Sequence, residues 1–172
     1  LAATIGHNYS GPHIGFDQTT LGTSDYFGWS TSLDGNRLAV GAYRGDGTNS
    51  SGNEGEVYLY SFTDSSFGGA ALEAMIGEGY TGGKNIHQNL DSGDQFGKSV
   101  SLDGNRLAVG TSYGDGYNNS MSNSGEVYLY TFTDSEFSGG ALAGMIGHGY
   151  SGGKNINQSS GSSDYFGSSV SL

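Results

Sequence analysis

The chain has 172 residues, with 33 Gly, 1 Pro and no Cys, 34% apolar and 12% aromatic content, and a formal net charge of −11. The missing cysteines exclude a disulfide framework and a thiolate metal site, and six Lys and Arg against 17 Asp and Glu leave no basic face for nucleic acid or an anionic membrane surface. High Gly with low apolar content points toward disorder, but disordered chains are poor in aromatic residues, so the sequence predicts a folded, turn-rich, all-β protein.

The chain divides by internal repetition. Residues 1–26 read as a partial repeat, an outer strand and a connection, with TIGHNYSG from Thr4 as a diverged copy of MIGEGYTG from Met75. The opening LAATIG has no initiator Met and falls inside a repeat, which predicts a piece of a longer protein or a mature part of one. No signal peptide is visible, and no apolar run approaches membrane-spanning length.

Residues 27–95 form the first complete repeat. Its predicted first strand is FGWSTSL from Phe27. The turn DGN follows, because Asp-Gly is a strong hairpin signal and Gly accepts positive φ. The second strand is RLAVGA, followed by the polar loop RGDGTNSSGNEG. The third strand, EVYLYSFT, is rich in β-branched and aromatic residues. A short DSSFGGA loop leads to the fourth strand, ALEAMIG. The Gly-rich connection EGYTGGKNIHQNLDSGDQ then returns to the next FG.

Residues 96–165 repeat this order, and residues 166–172 start the first strand of a further repeat. SLDGNRLAVG recurs letter for letter from Ser32 and from Ser101, GEVYLY from Gly55 and from Gly125, and the period is 69 to 71 residues.

Side-chain alternation predicts how these sheets pack. Phe27, Trp29, Thr31 and Leu33 would share one face of the first strand, with Gly28, Ser30 and Ser32 on the other. Leu38, Val40 and Ala42 alternate with Ala39 and Gly41. One face is large, the other small, and neither is strongly charged. That pattern suits a sheet covered on both sides by similar sheets, large residues filling the space over small ones. Repeated four-stranded antiparallel sheets of this kind are propeller blades. The rival parallel β-helix conflicts with the Asp-Gly hairpin, which demands antiparallel pairing.

The order FGxSVSLDGNRLAVGA…GDG…GEVYLY resembles the FG-GAP repeat, which also builds the propeller of integrin α chains. The resemblance covers nearly the whole chain and implies a β-propeller fold of about two and a half repeats. Two departures stand out. The proline of GAP is absent, the sequence reading Gly41-Ala42-Tyr43 and Gly110-Thr111-Ser112. The Asp-rich calcium loop between first and second strands is replaced by LDGN, so calcium cannot be carried over to Asp34 or Asp103: such a site needs roughly six to eight oxygens.

The second loop offers other candidate calcium ligands. Asp46 and Asn49 lie in one repeat, with Asn53 and Glu54, and Asp115 and Asn118 in the other, with Asn119 and Asn123. The same composition is ordinary for a solvated loop. Arg44-Gly45-Asp46 has the letters of an adhesion tripeptide on a loop of the kind that presents recognition motifs. Tyr113-Gly114-Asp115 stands in its place in the next repeat, so the alternative is that Gly-Asp-Gly is a turn and Arg44 incidental. Asn8, Asn49, Asn118 and Asn157 begin Asn-x-Ser sequons that a secreted eukaryotic protein could glycosylate.

His7 and His148 align between copies while Glu78 holds that position in the middle one, and His87 aligns with Asn157. These read as surface histidines. No nucleophile elbow or HExxH is present, and nothing selects a catalytic carboxylate pair. In FG-GAP proteins that are enzymes, the chemistry generally sits on a separate domain.

The reading is therefore a non-enzymatic, extracellular or cell-surface repeat segment with a structural and adhesive role. Its expected partners are other copies or neighbouring repeats, with surface proteins or glycans beyond them. The alternative is a binding module that holds a ligand or calcium in its Gly/Asp/Asn loops. A propeller closes with at least about four blades, so these repeats are expected to continue in a longer chain or to assemble.

Overall fold

The computed structural model describes residues 4–6, 21–48 and 52–172. Within them the chain is all-β, as its repeats predict. The first repeat folds into β1 (Phe27–Asp34), β2 (Arg37–Ala42), β3 (Glu56–Ser61), β4 (Ala71–Gly77) and β5 (Ile86–His87). The second folds into β6 (Phe96–Asp103), β7 (Arg106–Thr111), β8 (Glu126–Thr131), β9 (Ala141–Gly147) and β10 (Ile156–Asn157), with one 3-10 turn at Tyr117–Asn119. Strands lie in chain order in each sheet, and β1 to β4 pair antiparallel.

Three expectations need correction. Each sheet has five strands rather than four. The Gly-rich connection is drawn in because Asn85 Oδ1 accepts the Met75 N–H at 2.9 Å and the Gln88 N–H donates to Gly77 O at 3.0 Å, which lays Ile86–His87 parallel to β4. The third strand stops at Ser61: the Phe62 N–H leaves the ladder for Asn36 O at 2.8 Å, and Thr63 bonds Gly68 O.

The third correction is Trp29, which does not share a face with Phe27. Phe27 pairs with Ala42 and Ser30 with Gly41, so Gly28 and Trp29 are extra residues in a bulge. Gly28 takes φ 84° and the Trp29 N–H bonds Tyr26 O. The two extra residues keep Phe27 on the face of Thr31 and Leu33 but leave Trp29 unpaired in the ladder, and Trp29 emerges 54% exposed.

The hairpin turn is Gly35-Asn36, closed by the Asp34–Arg37 pair, with Gly35 at φ 56°. A two-residue turn with positive φ at its first position matches the strand twist, and Gly adopts that φ without strain.

Packing follows the large-and-small pattern. Ala39, Val57, Leu59, Ala74 and Ile76, from the small face of the first sheet, form one buried cluster with Phe96, Val100, Leu102, Leu107, Val109, Tyr128 and Tyr130 from the large face of the second. Burying such side chains contributes about 1.5–3 kcal/mol each. On the opposite side of the first sheet, Val40, Tyr58, Tyr60 and Met75 form a second cluster, joined by Ile5 and Leu21.

Glycines let the two sheets approach. A Cβ on Gly41 would lie 2.1 Å from Gly97 O, and Ser30 Oγ donates to that same carbonyl at 2.7 Å. The contact recurs one repeat on, where Ser99 Oγ donates to Gly167 O at 2.8 Å. Both the FG and the VG of the repeat are therefore sites of backbone contact between successive sheets.

Candidate functional site

The loops between β2 and β3, and between β5 and β6, meet at one end of the sheets. Glu56 opens β3 opposite Ala42 and Gly77. Small neighbours leave room for its side chain, which lies against Gly45, where an added Cβ would meet Glu56 Cδ at 2.4 Å. Tyr58 Oη donates to Glu56 Oε1 at 2.5 Å and Tyr80 Oη to Oε2. The second repeat reproduces this lock: Tyr128 donates to Glu126 Oε2 at 2.7 Å and Tyr150 to Oε1 at 3.0 Å.

Burial raises both glutamates above the ordinary carboxylate range, and the tyrosine hydroxyls only partly oppose it. Burial, followed by the charge of Glu56, likewise lifts Tyr80. Tyrosines held this firmly in the O–H form serve as donors rather than as bases.

Beside Glu126 lies a cavity of about 490 Å³ lined by Asp91, Asp94, Asp115, Asn118, Tyr117 and Tyr150 among others. Asp94 is buried and accepts the Asp91 N–H at 2.8 Å. Burial pushes its carboxyl up to about 7, with further lift from the charges of Glu126, Asp91 and Asp115. Asp25 stands in the same place before the first FG, accepts the Gly22 N–H, and is also raised, chiefly by burial. Three carboxylates thus gather at the end of each sheet: Asp25, Asp46 and Glu56 at the first, Asp94, Asp115 and Glu126 at the second.

The residues singled out from sequence fall as follows. Asp46 Oδ1 accepts the Asn53 N–H at 2.9 Å, and Asp115 Oδ1 the Asn123 N–H at 2.6 Å, so each carboxylate closes its own loop. Asn118 is exposed at φ 56°. Asn8 and Asn49 lie outside the described residues, as does His7. Among the described residues no group of three or more His, Cys, Asp and Glu side chains is arranged to hold a metal ion. In the LDGN turn the carboxylates are engaged: Asp34 Oδ2 accepts from Arg37 and from the Gly104 N–H, and Asp103 pairs with Arg106.

In Arg44-Gly45-Asp46, Gly45 is buried under Glu56 and Arg44 lies over the rings of Tyr26 and Tyr43 at 5.2 and 5.6 Å. Asn157 is exposed, and its Oδ1 accepts the Gly149 N–H at 2.8 Å; His87 Nδ1 does the same for Gly79 at 3.0 Å. His148 Nδ1 contacts Ser160 O at 2.9 Å, while Glu78, its counterpart, accepts the Leu90 N–H. These side chains fasten the connection beside β5 and β10.

Sequence reasoning passed over the buried glutamates. A signal existed: in both copies a Tyr follows GEVY at a spacing of 24 residues from the Glu. A glutamate amid an apolar strand, matched by a distant tyrosine, marks a buried acid with a donor.

No helix among the described residues is long and apolar enough to cross a membrane. The FG-GAP repeat family model matches residues 21–60 and again residues 88–130. Each match runs from the segment before the FG bulge into the third strand, so it takes in the bulge, the hairpin and the buried glutamate. No curated protein matches the chain.

Proposed function

The chain belongs to the FG-GAP repeat family, and on that premise we propose that it is a non-enzymatic structural and adhesive segment of an extracellular or surface protein. The observation that carries this reading is the sheet-to-sheet junction. The small face of one blade receives the large face of the next through Gly41 and Gly97, and the repeated sequence supplies the same two faces again. Such a unit lengthens by adding copies and stays stiff, because each blade is held by its neighbours. The partners in this reading are neighbouring repeats or other copies of the chain.

Size in solution tests the stacking: sedimentation should show concentration-dependent association through the uncovered blade faces. A stable, monodisperse 17.8 kDa monomer at all concentrations overturns it. Retention of chain-coated beads on cell or matrix surfaces tests the adhesive role, and retention no greater than that of uncoated beads overturns it.

A second reading is favoured by the cavity beside Glu126, whose polar lining suits a ligand held by the Gly/Asp/Asn loops. A shift in melting temperature on adding calcium or a small polyol, absent with chelator or without polyol, supports it.

A further inference from the structure

The bulge at Gly28 and Trp29 does more than interrupt the ladder. It sets Trp29 at the surface beside Tyr26 and Tyr43, with ring centroids 6.0 and 4.9 Å away, and Tyr26 lies 5.2 Å from Tyr43. Two cations cap this group. Lys98 Nζ is 4.8 Å from the Trp29 centroid and 3.7 Å from that of Tyr43, and the Arg44 guanidinium covers Tyr26 and Tyr43. Trp29 and Tyr26 nevertheless remain 54% and 45% exposed.

The charge of this patch runs against that of the chain. Arg37, Lys84 and Arg106 each pair with a carboxylate, whereas Arg44 and Lys98, like the distant Lys154, have no ion pair among the described residues. Lys98 donates to Gln95 Oε1 at 3.2 Å. Burial, then the charge of Arg44, lowers its pKa.

Nor does the blade require the cluster. At the next junction Gln95, Lys98 and Ser112 stand where Tyr26, Trp29 and Tyr43 stand here, and Ser168 takes the place of Lys98. The glycine contact forms there all the same, Gly110 approaching Gly167 O as Gly41 approaches Gly97 O.

We propose that Tyr26, Trp29, Tyr43, Arg44 and Lys98 form a binding site for an acidic saccharide, one pyranose face lying on Trp29 and its carboxylate or sulfate meeting Arg44 and Lys98. An exposed aromatic ring presents an apolar surface with a negative π face, which suits the C–H face of a sugar ring. Guanidinium and ammonium groups make charge-assisted hydrogen bonds to carboxylate or sulfate oxygens. An extended acidic peptide is less well served, since the Trp29 and Arg44 N–H groups already bond Tyr26 O and Asp25 O and offer a peptide backbone no partner. The role of the site rests on the adhesive reading above, and it names that reading's partner class.

Trp29 is the one tryptophan in the chain, so its fluorescence reports the site directly. Hyaluronan hexasaccharide carries carboxylates alone and heparin hexasaccharide adds sulfates. At least one should shift the Trp29 emission saturably, weakening as salt rises, and the stronger of the two identifies the anion. Lys98→Gln and Arg44→Gln should each weaken binding roughly tenfold, the scale of one charge-assisted contact. Trp29→Ala, followed by calorimetry, should abolish it.

Maltohexaose, of equal length and no charge, should bind at least about tenfold more weakly. Equal binding of maltohexaose or of hexaglutamate overturns the proposal, as does an unchanged emission with both acidic saccharides. Association and bead retention are separate measurements: a chain that adheres but ignores these sugars sinks the site alone, and one that binds them without adhering sinks the adhesive role.

Discussion

Gly41 and Gly97 lie 56 positions apart in the chain yet meet so closely that one Cβ atom on Gly41 would sit 2.1 Å from the Gly97 carbonyl oxygen. The obstacle is backbone, not a flexible side chain. Gly41→Ala should therefore force the two sheets apart and cost about 3 kcal/mol or more. Gly35→Ala is the control: it has open space around it and only a φ of 56° against it, for about 1 kcal/mol. Urea unfolding of both variants separates the two causes, and equal losses would remove the junction argument.

Arg37 and Arg106 share a repeat position but not an environment. Arg37 is buried, donates to Gly104 O and Asn105 Oδ1 in the next hairpin, and lies 5.0 Å over Phe137. Arg106 is exposed and pairs with Asp103. Arg37→Met should cost about 2–3 kcal/mol, because it removes the charged hydrogen bonds by which a buried side chain joins two hairpins. Arg106→Met should stay within about 0.5 kcal/mol. Thermal melts of the pair are the measurement, and similar shifts in melting temperature would contradict it.

The folded protein holds the Asp94 proton up to about pH 7, against an ordinary value of 3.8. The native state thus binds more protons than the unfolded chain between those values. The associated stability is fully present below 3.8 and lost as pH rises through about 7. Asp94→Asn should be more stable than the parent at pH 8 by about 1–2 kcal/mol and should flatten the profile. Denaturant titrations at pH 5 and 8 check this, and a less stable Asp94→Asn at pH 8 would refute it.

Tyr150 is half-buried and supplies one of the two hydroxyls on Glu126. Tyr150→Phe keeps the ring and removes the donor, leaving Glu126 Oε1 short of a partner, at a cost of about 1–3 kcal/mol. Glu126→Gln combined with Tyr150→Phe should cost less than the sum of the two singles, since both break the same contact. A double-mutant cycle measures that coupling, and strict additivity would show that the bond contributes nothing.

Much of the fold is legible in the sequence. β2, β4, β7 and β9 begin and end where the repeat pattern places them, although Glu73 and Ala143 are extra residues in the pairings of β4 and β9. β5 and β10 were not legible, since two residues carry no period and their pairing depends on Asn85 and Asn155 reaching back to Met75 and Met145. Trp29 was misplaced because alternation assumes an uninterrupted ladder, and a bulge shows in sequence as no more than a glycine. The buried glutamates were passed over because Glu56 and Tyr80 belong to different elements, and spacing along the chain does not reveal that they meet.

The sequence by itself determined the all-β class, the internal repetition, the hairpin turn and the division of each sheet into a large and a small face. Those follow from local sterics and from alternation, which act over a few residues. Only the tertiary structure decided that Gly41 meets Gly97, that Arg37 staples the next hairpin, that carboxylates converge beside Glu126, and that Trp29 stands beside Lys98. Each joins side chains or backbone from separate elements, and such meetings are set by how one sheet's large face seats on another's small one.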